Sequence, residues 1–254
     1  MDTLKKIVLL AQRLVRIGVG NPRRLSHVMG TALAASADVV DRSTDLLRFP
    51  RRTVTDLLPE GADSCRLTLA VMSQNQASIS VLEFVCLLLL MKKARAQCVF
   101  EFGTYKGVSI SQMALNLPEG ARIYTLDLPE GQVTTDLPIS IAKDVSIAFE
   151  HGKGSLVPAD LRPRITFLQQ DSARFDPGPY EGQVDFVFVD GTHNSEYVKN
   201  DSEKGWRMLR KGGIIAWHDC APNDPDVIRY LLQADYGAAL IEGTSLAYAV
   251  KSRA

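Results

Sequence analysis

The sequence predicts an α/β protein: a doubly wound, seven-stranded sheet, mostly parallel with an antiparallel last strand, plus a helical N-terminal extension. Three observations predict it. From residue 97 onward, short apolar runs alternate with helix-length segments, the pattern of parallel strands joined by crossover helices. The runs at 184–189 and 214–217 each stop abruptly at a polar cluster, the first at Asp190 and the second at His218-Asp219. The runs at 239–241 and 246–250 are joined only by the tight turn Glu242-Gly243-Thr244-Ser245. That is too short for a parallel crossover, so the last strand must run antiparallel.

The elements follow in order. Residues 1–95 read as a mostly helical extension, with breaks at 18–22, at Phe49-Pro50 and at Pro59-Glu60-Gly61. At its start Leu4, Ile7, Val8, Ala11, Leu14 and Val15 share one helical face. The run VLEFVCLLLLM, residues 81–91, contains Glu83 and is too short to span a bilayer, so it reads as a buried core helix. Residues 96–254 form the second domain. Its strands are expected at 98–102, 122–126 and 165–168, then at 184–189 and 214–217, and finally at 239–241 and 246–250. Helices are expected at 106–116, between the strands ending at 189 and beginning at 214, and at 224–234. Residues 128–160, rich in Pro, Gly, Thr and Ser, interrupt the alternation and read as a mobile lid.

Composition narrows the function classes. The chain of 254 residues carries 29 basic and 29 acidic residues, so no global charge draws it to nucleic acid. A bias of 10 basic over 6 acidic residues within 1–60 reads as a solvated helical face. The four cysteines, Cys65, Cys86, Cys98 and Cys220, are scattered without a CxxC pair, which fits a reduced, cytoplasmic setting. Neither a secretory signal nor a transmembrane segment is expected.

The first strand leads into the turn Glu101-Phe102-Gly103-Thr104-Tyr105-Lys106-Gly107-Val108-Ser109. This is E-x-G-x-x-x-G rather than the dinucleotide G-x-G-x-x-G, because Tyr105 stands where that pattern needs its second glycine. Gly103 and Gly107 allow a tight turn and a close ligand, although a plain strand-to-helix turn has the same glycines. Asp127 ends the second strand 26 residues after Glu101, where an acid can accept both hydroxyls of a ribose. Asp171 and Ser172, just past the third strand, can meet an adenine edge. Either acid could instead cap a helix.

In open α/β sheets the ligand crevice lies outside the carboxyl ends of the strands. That places Asp190, His193, His218 and Asp219 at a reactive edge, where adjacent strands about 4.8 Å apart let carboxylates converge on one ion. His193 could alternatively cap the helix starting near residue 194. His218 could be a core histidine or itself a base. Glu196, Asp201 and Glu203 read as a solvated helix face, and His27 and His151 lack any supporting context.

Taken together, FEFGTYKGVS, TLDLP, LQQDSARF, FVDGTHNSEYVKND and GGIIAWHD resemble the class I S-adenosylmethionine-dependent methyltransferases over about residues 80–250. More narrowly, the motifs are similar to a bacterial group that includes macrolide-sugar and aminocoumarin O-methyltransferases and cephalosporin-hydroxylase-like proteins. The resemblance implies a Rossmann-like fold, S-adenosylmethionine as cofactor and a small-molecule acceptor such as a sugar or natural product. It implies that Glu101, Gly103 and Gly107 line the cofactor's methionine end, that Asp127 takes its ribose, and that Thr104, Tyr105, Ser109, Asp171, Ser172 and Asp190 also belong to the cofactor site. It further implies that Asp190 and His193 are catalytic, with His193 the base, and that Asp190 and Asp219 hold Mg²⁺ or another divalent metal. His218 stands where relatives usually carry Asp or Glu, and joins the candidate ligands. Residues 1–95 would act as a substrate cap or subunit contact in a homo-oligomer. A non-catalytic module with the same cofactor crevice and an NAD-dependent oxidoreductase are the alternatives. A turnover assay separates the first of these and a cofactor-binding screen the second.

Overall fold

The computed structural model describes residues 45–70, 79–132 and 134–252. The chain divides into compact units between Leu46 and Leu47, and the second unit, Leu47–Ala254, contains the sheet. The helical face expected at residues 4–15 lies outside the described residues.

The sheet has eight strands: β1 (Arg51–Arg52), β2 (Cys98–Phe102), β3 (Arg122–Asp127), β4 (Ile165–Gln169), β5 (Val184–Val189), β6 (Leu209–Trp217), β7 (Ala239–Ile241) and β8 (Ala247–Val250). Their order is β1-β7-β8-β6-β5-β2-β3-β4. Strands β4, β3, β2, β5 and β6 run parallel, and β8 runs antiparallel to both β6 and β7. Seven strands and the antiparallel β8 match the expectation. The eighth, β1, is an addition at the β7 edge. Two exposed arginines carry no apolar alternation, so only backbone pairing defines that strand.

Among the described residues, five helices accompany the sheet: α1 (Val81–Lys93), α2 (Val108–Asn116), α3 (Ala142–Ala148), α4 (Ser195–Met208) and α5 (Pro225–Gln233). Helix α1 is the apolar run of the sequence, and its Phe84, Leu87, Leu88 and Leu90 are buried. A reciprocal capping box starts it: Ser80 N–H donates to Glu83 Oε2 at 2.9 Å, and Glu83 N–H donates to Ser80 Oγ at 3.3 Å. Helix α2 begins two residues later than expected because Gly107, its N-cap, takes the left-handed conformation at φ +84°. Between residues 49 and 70 the chain forms one 3-10 helix, β1 and irregular backbone rather than regular α-helix. Pro50 and Pro59 interrupt any longer helix there.

Alternation along the strands divides the core. Val99, Phe186, Phe188, Ile214 and Ala216 pack with α1 and α2 in one cluster. The interleaved positions face α4, which approaches so closely at Gly205 that a Cβ there would lie 2.9 Å from Val187 and 3.1 Å from Ile215. Trp217, on the same face, donates its indole N–H to Ser202 Oγ of α4 at 2.8 Å. No helix among the described residues is long and apolar enough to cross a membrane.

Candidate active site

Register sets the site. Phe102 pairs with Leu126 and with Val189, and Val189 pairs with Trp217. The residues that follow, Gly103, Asp127, Asp190 and His218, therefore form a row along the carboxyl edge, with Asp171 two positions past β4. A cavity runs along this row; its walls include Gly103, Asp127, Asp171, Asp190, His193 and Asp219.

The first half of the cavity holds the glycine turn. A Cβ at Gly103 (φ +94°) would lie 2.1 Å from the carbonyl oxygen of Asp190, and one at Gly107 would lie 2.3 Å from Val157 Cγ2. Both glycines line the cavity, but the room they make is taken by protein neighbours rather than left for a ligand. Tyr105, between them, has φ +43°, a left-handed backbone conformation uncommon for a non-glycine residue. Asp127 Oδ2 accepts the N–H groups of Thr104 at 3.0 Å and Tyr105 at 2.7 Å. Its Oδ1 accepts Leu128 N–H at 2.8 Å and faces Lys153 Nζ at 2.9 Å. The acid thus ties the glycine turn to the end of β3 and to the segment after α3.

Glu101 is placed differently. It is fully buried beneath the cavity and does not form its wall. Burial pushes its carboxyl up to about 8, against hydrogen bonds from the hydroxyls of Ser109 and Thr125 that favour the charged form. Asp171, at the far end, accepts the Tyr197 hydroxyl at 2.8 and 3.0 Å and the N–H of Asp136 at 2.8 Å. Its neighbour Ser172 lines the cavity. Asp201, expected on a solvated helix face with Glu196 and Glu203, is buried and lines the cavity, whereas the two glutamates are exposed. Position 201 falls on the side of α4 turned to the sheet, and burial pushes its carboxyl up to about 6.

The second half carries the ionisable cluster. His193 is buried between two carboxylates: Nδ1 lies 2.7 Å from Asp144 Oδ1, and Nε2 lies 2.6 Å from Asp219 Oδ2. It does not cap α4; Asn194 holds that position. Burial opposes charge on the imidazole, but the bonds to Asp144 and Asp219 outweigh it and push the ring up to about 10. With a carboxylate at each ring nitrogen, this arrangement favours the charged imidazolium.

His218 stands beside it. Its Nδ1 is 3.2 Å from Asp190 Oδ1 and 3.4 Å from Asp219 Oδ1, and its buried Nε2 has no hydrogen-bond partner among the described residues. Glu83 Oε2 approaches that nitrogen only to 3.6 Å, because the carboxylate is bonded to Ser80 and to the Ser245 N–H and hydroxyl. Asp219 sits at φ +52°, a left-handed backbone conformation costing a non-glycine residue roughly 1–3 kcal/mol, and this turns its carboxylate between both imidazoles.

Asp190, His218 and Asp219 bring one ligand atom each within 4.8 Å of one another. Octahedral ligands about 2.1 Å from an ion lie roughly 3 Å apart, so the Nδ1–oxygen separations of 3.2 and 3.4 Å suit a divalent cation. Two carboxylates and one imidazole suit Mn²⁺ or Fe²⁺ as well as Mg²⁺. Sequence reasoning missed Asp144, in the short helix α3, and Lys153, in the turn after it, because neither lies in a stretch with a pattern to mark it. Glu83 was visible as the one charge in an apolar run, but its partners Ser80 and Ser245 were not.

This strand order, with a reversed last strand and an acid at the end of the second parallel strand, is the one expected from the resemblance to class I S-adenosylmethionine-dependent methyltransferases. Residues 100–220 match the family model described as a methyltransferase domain. A caffeoyl-CoA O-methyltransferase of Petroselinum crispum is 27% identical over 159 residues, covering 63% of this chain and 61% of that enzyme. A flavonoid 3',5'-methyltransferase of Vitis vinifera is 27% identical over 145 residues, covering 55% of this chain and 54% of that enzyme. The chain thus spans less than two thirds of the length of either relative. Among solved structures, cofactor-bound Rv0187 from MTB has the same fold, with a TM-score of 0.52 at 17% identity over 70% of this chain and 83% of that one.

Proposed function

We propose that the chain is an S-adenosylmethionine-dependent O-methyltransferase acting on a hydroxyl of a small molecule. The observation that carries this reading is the cavity, which joins the Gly103 turn and Asp127 at one end to His193, His218, Asp190 and Asp219 at the other. Cofactor binding alone does not call for two imidazoles and two further acids beside it. Both relatives are named as methyltransferases, one of caffeoyl-CoA and one of flavonoids. The apolar walls Ile79, Phe84 and Ile147 support an acceptor with an apolar body over a bare sugar.

When bound, S-adenosylmethionine supplies a methyl group made electrophilic by its sulfonium. The turn from Gly103 to Ser109 would seat the methionine end, Asp127 would take the ribose hydroxyls, and Asp171 with Ser172 would meet the adenine. This chain's own part in the transfer would be to remove the proton of the acceptor hydroxyl. His193 takes the hydroxyl proton at Nε2, once Asp219 no longer holds that nitrogen protonated. A general base typically contributes about 10²–10⁴-fold. Asp190, His218 and Asp219 would hold a divalent cation, which when bound lowers the pKa of a ligated hydroxyl.

The four unpaired cysteines support a reducing, cytoplasmic setting. Residues 1–95 act as substrate cap or subunit contact of a homo-oligomer, and Ile79 and Phe84 already contribute to the cavity wall. Calorimetry with S-adenosylhomocysteine tests the cofactor assignment: micromolar binding is expected, and no binding at high micromolar concentration overturns it. With caffeoyl-CoA and a flavonoid as probe acceptors, His193→Ala should slow methyl transfer at least about 100-fold while cofactor affinity is retained.

A further inference from the structure

We propose that Asp144 is a positioning residue for His193, so that the base is set only when the segment from residue 134 to 157 lies over the cavity. The proposal rests on the reading of His193 as the proton acceptor.

The two oxygens of Asp144 grip the same residue in two ways. Oδ2 accepts the His193 backbone N–H at 2.6 Å, and Oδ1 meets the ring Nδ1 at 2.7 Å. One contact fixes the main chain and the other the rotation of the ring. A carboxylate can only accept, so Nδ1 carries a proton, and Nε2 is left as the nitrogen facing Asp219 and the acceptor side. The two residues are 49 apart in sequence and both are buried, with Asp144 at 4% and His193 at 7% exposure. A buried carboxylate is costly unless paired, and the hydrogen bonds of Asp144 both go to His193. A latch that served only to hold the segment down would need neither burial nor a ring contact.

The segment that carries Asp144 is fastened at both cofactor-side landmarks. Asp136 N–H donates to Asp171, Gly154 N–H donates to the Tyr105 carbonyl at 2.7 Å, and Leu156 N–H donates to the Lys106 carbonyl at 2.9 Å. At the reaction end, Ser140 N–H donates to Asn194 Oδ1 at 3.1 Å, and Asn194 Nδ2 donates to Ser140 Oγ at 2.8 Å. The same stretch of chain therefore touches the residues assigned to adenine, the glycine turn and the base. Asp144 is its link to the proton-transfer step.

The test is a double-mutant cycle of Asp144→Ala and His193→Ala, with Asp144→Asn as the conservative variant. Methyl transfer to caffeoyl-CoA and to a flavonoid is read as kcat and as KM for S-adenosylmethionine. Nitrogen-15 resonances of the histidine rings are recorded in parallel on the full chain. The expected result is a kcat lowered about 10- to 100-fold by Asp144→Ala, part of the contribution of a general base, with KM for the cofactor changed less than about threefold. Asp144→Asn should recover part of the loss. In the His193→Ala background, Asp144→Ala should change kcat less than about twofold. The His193 Nδ1 resonance should shift in both Asp144 variants. An unchanged Nδ1 resonance, or a loss that multiplies with that of His193→Ala, overturns the role of Asp144 and leaves the base in place. Wild-type turnover in His193→Ala overturns the base and the proposal together. If Asp144→Ala does not fold, the cycle is run with Asp144→Asn and the same outcomes decide.

Discussion

Replacing Glu101 with glutamine should change how stability depends on pH, and the structure gives the sign and scale. Glu101 is fully buried, and its carboxyl is pushed from an ordinary 4.5 up to about 8. Between those values the unfolded chain has released the proton while the folded chain still holds it. Stability from this group is therefore full below pH 4.5 and is lost as pH rises toward 8. Each unit is worth about 1.4 kcal/mol, so the whole window amounts to roughly 3–5 kcal/mol. Glutamine has nearly the same shape, cannot ionise, and still offers an acceptor to Ser109 or Thr125. Urea unfolding of wild type and Glu101→Gln at pH 5, 6.5 and 8 isolates the term, because every other titrating group is common to both. The variant should be equal or about 1 kcal/mol weaker at pH 5 and the more stable protein at pH 8. Parallel stability lines across that range would mean Glu101 is charged in the fold and would refute the reasoning.

Three other outcomes follow from the site. Gly103→Ala, whose Cβ would fall 2.1 Å from the Asp190 carbonyl at φ +94°, should cost at least about 2 kcal/mol in a denaturant melt and weaken cofactor binding with it; a fully stable variant would show that the two strand ends are not locked together. Asp127→Asn should weaken S-adenosylhomocysteine about 10- to 100-fold by calorimetry, the loss of a charge-assisted bond worth roughly 1.5–3 kcal/mol. Unchanged affinity would take the ribose away from Asp127. Mn²⁺ titrated into the full chain and followed by electron paramagnetic resonance should bind at least about tenfold more weakly in His218→Ala, and equal binding removes His218 from the ligand set.

The parallel strands were legible because each is a continuous apolar run that ends at a polar residue. The run 184–189 is buried along its whole length and stops at Asp190, so both its ends could be read from the sequence. β6 was read only from residue 214 because its first half, Leu209 to Gly213, mixes Arg210, Lys211 and two glycines into the pairing. Register then carried the site. Once Phe102, Leu126, Val189 and Trp217 lie level, Asp127, Asp190 and His218 must share one edge. What could not be read came from contacts without periodicity. Asp144 reaches His193 across 49 residues, and Glu83 reaches Ser245 across 162. Asp201 was misplaced for a related reason: in a helix as polar as α4, only three-dimensional packing tells which acid turns inward.

The shortest element of the sheet also has a consequence. Without β1, the outer edge of β7 would present the N–H groups of Leu240 and Glu242 to solvent as a template for any extended chain. The carbonyls of Pro50 and Arg52 take both, each at 2.9 Å. The new edge is then two residues long, begins just after a proline and carries two exposed arginines. Two copies of the molecule approaching there would meet with like charge and too little free backbone to zip together. Arg51 and Arg52 thus defend the fold against fibre-like self-association from the side of the sheet farthest from β4.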